Sequence, residues 1–583
     1  MYIFMIFVNY ICMKKNIKNL INNFFNNNDN YVFSLNNKKE NSFISNESQM
    51  NNNNVNDVNV IKKQNNQEVY PNIDVNLEYI NSRFNTLINS DVKIREFIIN
   101  VKSRQFKAFI IYIDGMVNKD SINDFILRPL MLKNYANQYN DNDIISEAIA
   151  TNILVRKIKK FNIEDYISDH LLPQNDIEKV SSFDKIIYDV SSGNCALFVD
   201  TINYVFDIDV KSFDKRSIAK PENELSIMGS QEAFVENLRT NTSMIRRNLC
   251  NENLIIENLS IGKTDKNSCS ICYLKNVANS DLVAEVKFRL NNLDVEYLNS
   301  MGELKELIKD DMHTTLPEII STERVDRATT LLLEGRVVVI YNGSPYVMVM
   351  PATIFDFLTT PEDLNVNFIF ANFLKIIRAI SYFITLLLPG LYVAITTYHG
   401  ELIPTELLYS IISSRENVPF ILIVEITLME LSFEIIREAG LRVPSPLGPT
   451  VGIVGALVLG QAAVQANIVS PFLIIIIAIT GITSFSIPNY SLSFHLRLNR
   501  FIYIILGAVS GFFGIGIGLF LYLLTLCSLK SFGVPYLAPY APFAKIHSNG
   551  YFLKPAWKRE NRSSFLDPKD TKIQNNKSMK WRI

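Results

Sequence analysis

The stretch "PFILIVEITLMELSFEIIREAG", Pro419 to Gly440, is apolar enough for a membrane, yet it carries Glu425, Glu430, Glu434 and Glu438. Wound as a helix at about 100° per residue, it gathers Glu430, Glu434, Arg437 and Glu438 into one sector and sets Leu428, Met429, Leu431, Ile435 and Ile436 opposite. Glu425 alone falls on the apolar side. A charge at the bilayer centre costs about 2.5 kcal/mol or more. A helix of this pattern is therefore expected to lie in the interface, to re-enter, or to pack in a bundle with its acidic stripe on an aqueous cavity.

The flanking sequence supports a membrane setting. Ala379 to Tyr398 is uncharged and long enough to cross ~30 Å of hydrocarbon. Pro389-Gly390 interrupts it, which is tolerated where neighbouring helices cover the freed backbone. From Val443 to Leu496 no Asp, Glu, Lys or Arg occurs, room for crossings near 448–467 and 469–488 with Ser470-Pro471 at the joint. Phe501 to Leu529 is a further uncharged run, long enough to tilt. Lys375 and Arg378 precede the first crossing, and Lys554, Lys558, Arg559, Arg562, Lys569, Lys572, Lys577, Lys580 and Arg582 follow the last. Lys and Arg favour the cytoplasmic side, so both ends belong there and the full crossings should be even in number. Four segments qualify, with 419–440 as an additional re-entrant or interfacial helix.

The front half differs in texture. A chain of 583 residues is too long for one core. A net charge of -1 creates no field directed at nucleic acid. The mean hydropathy of +0.11 is high for a chain with so polar a front third, as a polar part joined to a membrane part would give. Six scattered cysteines argue against a disulfide framework and for a reducing compartment. In "CSIC", Cys269 and Cys272 form a lone CxxC; a strand with two thiols packed as small apolar groups is preferred to a redox or metal pair. "MYIFMIFVNYIC" at residues 1–12 is too short to span, and Lys14 and Lys15 follow it, the reverse of a signal peptide. Initiation at Met13 is the expectation. Residues 1–75 as a whole, loaded with asparagine from Met13 on, are expected to form a disordered arm.

From residue 76 the pattern becomes globular. "VNLEYINSRFNTLIN", "SINDFILRPLMLKN", "SQEAFVENLRTNTSMIRRNL" and "LVAEVKFRLNNL" have helical spacing of apolar residues. "KAFIIYIDG" reads as a strand and turn, and "KIIYDVSSGNCALFVDTINYVFDIDV" as strands joined around Ser191–Asn194. One hairpin is expected between "NLIIENLSIG" and "SCSICYLKNV". Another lies in "RVVVIYNGSPYVMVMP", where Asn342-Gly343 supplies the turn. The expected architecture is an α+β cytoplasmic domain over 76–370, in one lobe or two, then an α-helical polytopic membrane domain over 371–544 and a basic cytoplasmic tail over 545–583.

Chemistry-bearing motifs are few. There is no Walker loop, HExxH or dinucleotide fingerprint, and the five histidines are far apart. No catalytic centre, cofactor or metal site is read, so an enzyme is not expected. Gln461 and Gln465 lie one turn apart with Asn467 just beyond. In lipid such amides bond between helices or line a conduction path. Glu430 and Glu434 offer an acidic ring in a ring-shaped oligomer, or a solvated face paired with Arg437. Gly507-xxx-Gly511 permits close helix packing, whereas Gly514, Gly516 and Gly518 cannot share one helix face; packing or a local bend is preferred to a gating hinge. Arg239, Arg246 and Arg247 share a helix whose solvated face is preferred to a partner or lipid site.

Several stretches together resemble one family. They are "YIDGMVNKDSINDFILRPLM", "GSQEAFVENLRTNTSMIRR", "TERVDRATTLLLEGRVVVIYNGSPYVMVMPATIFDFL", "PGLYVAITTYHGELIPTELLYSI", "EAGLRVPSPLGPTVGIVGALVLGQAAVQANIVSP" and "FGVPYLAPYAPF". In order and length they are similar to the A subunit of nutrient germinant receptors, the GerA-type spore germination proteins, over residues 80–545. Val325 replaces the family's proline after "TER", and Ser230 and Gln231 alter its "GPREAF". The resemblance implies a multi-pass protein of the spore inner membrane with a cytoplasmic N-terminal domain. It implies a transporter-like B subunit that binds nutrient, a lipoprotein C subunit, and further copies of the chain in a ring that releases monovalent cations. Membrane lipid is then a partner and nucleic acid is not. The alternative is a non-conducting scaffold coupling a transporter-like sensor to downstream germination machinery. An independent secondary transporter is a third reading, against which no internal inverted repeat is visible.

Overall fold

The computed structural model describes residues 68–101, 104–132, 167, 176–212, 220–442, 460–543 and 550–574. The arm expected over 1–75 lies outside them up to residue 67, as does the crossing expected near 448–467 up to residue 459. The rest forms two α+β lobes, a helical bundle and a C-terminal strap.

Lobe 1 begins with α1 (Ile73–Phe84), capped by the Asn72 side chain accepting from the Asp74 N–H and ended by Asn85 in the left-handed region. The hairpin β1 (Val92–Val101) and β2 (Arg104–Ile113) follows, then a helical stretch over 119–132. After β3 (Ile177–Val180), α2 (Phe183–Ser191), β4 (Cys195–Val199) and β5 (Val205–Ile208) complete an antiparallel sheet of order β1-β2-β4-β5-β3. The stretch expected to be all strand thus opens with a helix. Phe183, Ile186, Ile187 and Val190 recur at i, i+3, i+4 and i+7 and pack with Phe109 and Phe198. The sheet's other face, with Ile110, Leu197 and Phe206, is covered by Ile122, Ile126 and Leu130.

Lobe 2 repeats this plan. It runs α3 (Leu238–Asn248), β6 (Leu254–Ile261), β7 (Asn267–Leu274), α4 (Ser280–Asn291), α5 (Met301–Ile308), β8 (Ile320–Thr322), α6 (Val325–Leu333), β9 (Val337–Tyr341) and β10 (Val347–Met350). The sheet order β6-β7-β9-β10-β8 is that of lobe 1, strand for strand. The second halves superpose on the sequence without a gap. Phe183 and Val325 open the helices, Cys195 and Val337 the next strands, and Val205 and Val347 the last. Gly193 (φ 107°) and Gly335 (φ 100°) end the helices, and Thr201 (φ 73°) and Gly343 (φ 88°) sit in the hairpin turns, where a left-handed residue is required. Cys269 and Cys272 lie in β7, both buried, on opposite faces of the sheet. They are packing residues, not a pair.

The lobes meet through Arg246. Its guanidinium is buried and bidentate on Asp91 (Nε–Oδ2 2.8 Å, Nη2–Oδ1 2.9 Å), and Nη2 also donates to Asn89 Oδ1 at 3.0 Å. Ser90 N donates to Ile256 O at 2.9 Å, and Asn89 Nδ2 to Leu254 O at 3.2 Å. Arg239 pairs with Asp114 at 2.7 Å and Arg247 with Glu232 at 2.5 Å. The three arginines expected on a solvated face are thus held within the chain.

The bundle comprises α7 (Phe368–Tyr398), α8 (Thr405–Arg415), α9 (Leu422–Arg442), α10 (Pro471–Phe485) and α11 (Tyr490–Ser528). By length and composition two helical spans, α7 and the whole of α11, are long and apolar enough to cross a membrane. The run Phe501 to Leu529, expected as one crossing, is broken at Gly511 (φ 59°, ψ -138°). Along a straight helix His495 and Tyr522 would stand about 40 Å apart; here His495 Nε2 and Tyr522 OH are 3.2 Å apart. α11 is a helical hairpin with Gly511 at its apex. Gly514 packs on Leu506, and Gly518 on Leu506 and Tyr503, while Gly516 has open space beside it. Gly507 lies against α7, where a Cβ would come within 2.5 Å of Gly390 O. Gly511 therefore turns the chain as well as facing Tyr398 and His399.

Both ends of the bundle are fixed to lobe 2. After α11, Ser531 Oγ donates to Glu318 O at 2.7 Å, Phe532 N to Asp310 Oδ2 at 2.5 Å, and Tyr536 OH to Pro317 O at 2.8 Å. The strap over 550–574 then runs beside α7 and across lobe 2. Leu553 N donates to Asn372 Oδ1 at 2.8 Å, Arg562 Nε to Leu333 O at 2.8 Å, and Lys569 N to Val277 O at 3.0 Å. The part of the tail expected from 545 that is described here is this packed strap.

Arg246→Met should leave Asp91 buried and unpaired and cost about 3–5 kcal/mol, read as a lowered unfolding midpoint of the full-length chain in detergent; Asp91→Leu added to it should recover most of the loss. In the same assay Gly514→Ala should destabilise by about 1–3 kcal/mol, because a Cβ meets the Leu506 carbonyl, while Gly516→Ala should be neutral.

Candidate functional site

The acidic stripe of 419–440 forms one side of a buried charge cluster. Glu430, Glu434 and Arg437 lie at i, i+4 and i+7 on α9, one above another. Arg497 and Arg500 face them from the first arm of α11, at i and i+3. Arg500 Nη2 is 2.9 Å from Glu430 Oε2 and 2.5 Å from Glu434 Oε1. Arg497 Nη1 donates to Glu434 Oε2 at 2.7 Å, and Arg437 Nη2 to Glu434 Oε1 at 2.9 Å. Arg500 and Glu430 are wholly buried, while Glu434 keeps about a quarter of its surface. Aromatic faces complete the enclosure: Arg437 stacks between Phe433 and Phe485, with ring centroids at 5.5 and 5.4 Å, and Arg497 lies 5.3 Å from Phe494.

Hydrogen bonding in the cluster is incomplete. Arg500 Nε and Nη1 have no acceptor, and both Glu430 oxygens lack a hydrogen-bond donor in good geometry despite the close ion pair. Among the described residues three guanidiniums meet only two carboxylates here, so the site is net positive. Glu430 and Glu434 are therefore directed into the bundle and onto arginines, while Glu438 stays exposed and pairs with Arg442 on its own helix. Ile421, Val424, Leu428, Leu431 and Ile435 make the exposed face of the segment. Glu425, the outlier of the helical projection, is buried beyond the N-terminal end of α10. Its Oε1 accepts from Ser470 N at 2.6 Å, and Arg415 lies 3.5 Å from Oε2, a favourable place for a carboxylate.

The other candidates sit apart. Gln461, Gln465 and Asn467 are exposed and precede α10, with Asn467 in the left-handed region (φ 53°). Gly507 and Gly511 line the contact between α7 and α11. A second polar chain, not anticipated from the sequence, joins lobe 2 to the bundle. Thr315 Oγ1 is 2.6 Å from His495 Nδ1, His495 Nε2 is 3.2 Å from Tyr522 OH, and Tyr522 OH is 2.5 Å from Tyr382 OH. At the junction of lobe 2, α7 and the strap is a cavity of about 360 Å³ lined by Arg336, Asp356, Asp363 and Lys375 among others. Burial there opposes ionisation of Asp356, but Arg336 and Thr353 outweigh it and hold the carboxyl below its usual range.

Comparison with known proteins places this arrangement. The sequence model of a family described as Bacillus/Clostridium GerA spore germination protein matches residues 78–565. Spore germination protein KA of Bacillus subtilis (strain 168) is 37% identical over 483 residues, covering 83% of this chain and 85% of that one. Spore germination protein B1 of the same organism is 36% identical over 438 residues, covering 75% and 86%. The crystallised N-terminal domain of the A subunit of the Bacillus megaterium spore germinant receptor GerK3 matches at 27% identity over 50% of this chain and 99% of that domain, with a TM-score of 0.36. The family match runs from lobe 1 through lobe 2 and the bundle into the strap, and this chain belongs to the GerA family of spore germination proteins.

Proposed function

We propose that the chain is the membrane-embedded A subunit of a nutrient germinant receptor and that, assembled as a ring, it forms a ligand-gated channel releasing monovalent cations at the onset of spore germination. The observation that carries this is the cluster of Glu430, Glu434, Arg437, Arg497 and Arg500, formed where α9 meets a first arm of α11 that carries no other Asp, Glu, Lys or Arg. Ionisable groups inside a membrane bundle are costly and signal function by default. The chain enters the bundle from lobe 2 at Phe368 and rejoins lobe 2 after Ser528, which supports an even number of crossings. It also supports a common cytoplasmic side for the lobes and the strap, in the spore inner membrane.

Nutrient bound by a transporter-like B subunit, with a lipoprotein C subunit alongside, would favour an open ring by shifting a two-state equilibrium. Gln461, Gln465 and Asn467, exposed on one chain, and Glu434, partly exposed, are the groups a lumen between copies would receive. Glu430 stays behind, clasped to Arg500. One observation favours a non-conducting scaffold instead: the cluster has an excess of guanidinium and by itself repels cations.

Flux from liposomes holding the complete receptor separates the readings. A channel predicts nutrient-dependent release of potassium that falls about ten-fold in Gln465→Leu or Glu434→Gln, a loss of about 1.4 kcal/mol of favourable interaction along the path. Silence of the whole complex in the presence of nutrient supports the scaffold, and coupled solute uptake by this chain alone supports a transporter.

A further inference from the structure

The first turns of α7 are an amphipathic helix that none of the described residues covers on one side. Ile369, Phe370, Phe373, Ile376, Ile377, Ile380 and Phe383 are all exposed. At 3.6 residues per turn they share a sector about 140° wide. The opposite face is committed to the protein: Ala371 is buried, Lys375 Nζ donates to Tyr551 O at 2.9 Å, and Arg378 Nη1 to Asp363 Oδ2 at 2.7 Å.

The strap lies along the edge of this stripe and extends it. Asn372 and Leu553 exchange two hydrogen bonds, at 2.8 and 3.0 Å. Phe368 and Trp557 meet edge to face with ring centroids 6.1 Å apart. Phe552 and Trp557 nevertheless leave about half of their surfaces exposed. Lys558 and Arg559 follow at once. Lys558 is exposed, and Arg559 Nε donates to the Lys554 carbonyl at 2.9 Å; no carboxylate pairs with either among the described residues. Burial pushes the Arg559 guanidinium below its ordinary pKa, so an added anion would be stabilising there. Apolar stripe, half-exposed tryptophan and unneutralised cations occur together on the lobe-2 side of the bundle.

We propose that the exposed face of Ile369–Phe383 and the strap residues Phe552, Trp557, Lys558 and Arg559 form a docking surface for the anionic headgroup layer of the lipid leaflet on the lobe-2 side. This rests on the reading of α7 as a membrane crossing. Each element has a partner in that layer: aliphatic and phenyl groups meet the upper acyl region, the indole takes the interface, and the cations reach phosphates. A protein partner would be expected to bring carboxylates or matched apolar knobs, whereas a shallow stripe with cations along one edge fits a fluid anionic surface. The strap is also bonded to lobe 2 through Arg562 and Lys569. Contact with the leaflet is thereby tied mechanically to the lobe that holds both ends of the bundle.

The chain has two tryptophans, so Trp581→Phe makes Trp557 the sole reporter. The full-length variant is reconstituted into vesicles of phosphatidylcholine, or of phosphatidylcholine and phosphatidylglycerol in equal parts, each carrying a lipid spin-labelled near the headgroup. Trp557 fluorescence should be quenched by the label, roughly two-fold more strongly with phosphatidylglycerol, and Lys558→Glu/Arg559→Glu should abolish the difference. Quenching that ignores phosphatidylglycerol overturns the proposal. So does a Trp557 that no lipid label reaches while the chain still floats with the vesicles; there the crossing stands and only the docking fails. Loss of quenching as protein is crowded into the bilayer would assign the face to a second copy and overturn it too. A chain that does not float at all removes the membrane reading itself.

Discussion

Arg500 holds its charge where no water reaches it, and the helical half depends on how that charge is met. Glu430 and Glu434 supply the only carboxylates within reach among the described residues, and both come from α9, which pins that helix in depth and rotation against the first arm of α11. Dispersion among isoleucines and phenylalanines is non-directional and would allow many such alignments; a buried ion pair allows few, and loss of either partner is severe. The same logic operates at the far end of α9, where Glu425 meets the start of α10. Polar contacts fix the bundle's geometry, and its apolar remainder fills the space.

Lobe 2 and the bundle form one mechanical body. The core on one face of the lobe 2 sheet, with Val338, Ile340 and Val349, continues without interruption through Tyr382, Leu386, Leu496 and Tyr503. His495 adds a directional bridge across that junction, since its two ring nitrogens face Thr315 on one side and Tyr522 on the other. A displacement of lobe 2 cannot leave α11 where it was. Lobe 1 has no such continuity and is attached to lobe 2 chiefly at Arg246.

Much of this was legible in the sequence, for identifiable reasons. The hairpins β6–β7 and β9–β10 announce themselves through β-branched runs and Asn342-Gly343. Helix α2 did not, because Ile186, Ile187, Tyr188 and Val190 have strand composition and only their spacing is helical. The duplication of the lobes was invisible for a different reason. Between 183–208 and 325–350 only Asp184/Asp326, Gly193/Gly335, Tyr204/Tyr346 and Val205/Val347 are identical, so the repeat lives in pattern and glycine placement. In the bundle the glutamates stood out at once, but the partners of Glu434 on α11, Arg497 and Arg500, lie 63 and 66 residues away along the chain. The signal was present: those two arginines are what separates one uncharged run from the next. Gly511 was one glycine among several in "GAVSGFFGIGIG", and only its backbone angles single it out as a turn.

The junction between the lobes has a geometric consequence. On the lobe 1 side it uses the end of α1 and the residues leading into β1, namely Arg83 and Asn89 to Asp91; on the lobe 2 side it uses the end of α3 and the residues leading into β6, from Arg246 to Ile256. These are corresponding surfaces of two copies of one unit, so like faces like. Such self-complementary pairing closes upon itself. Each lobe has spent the surface that a third would need, so the repetition of this unit is a series that ends at two.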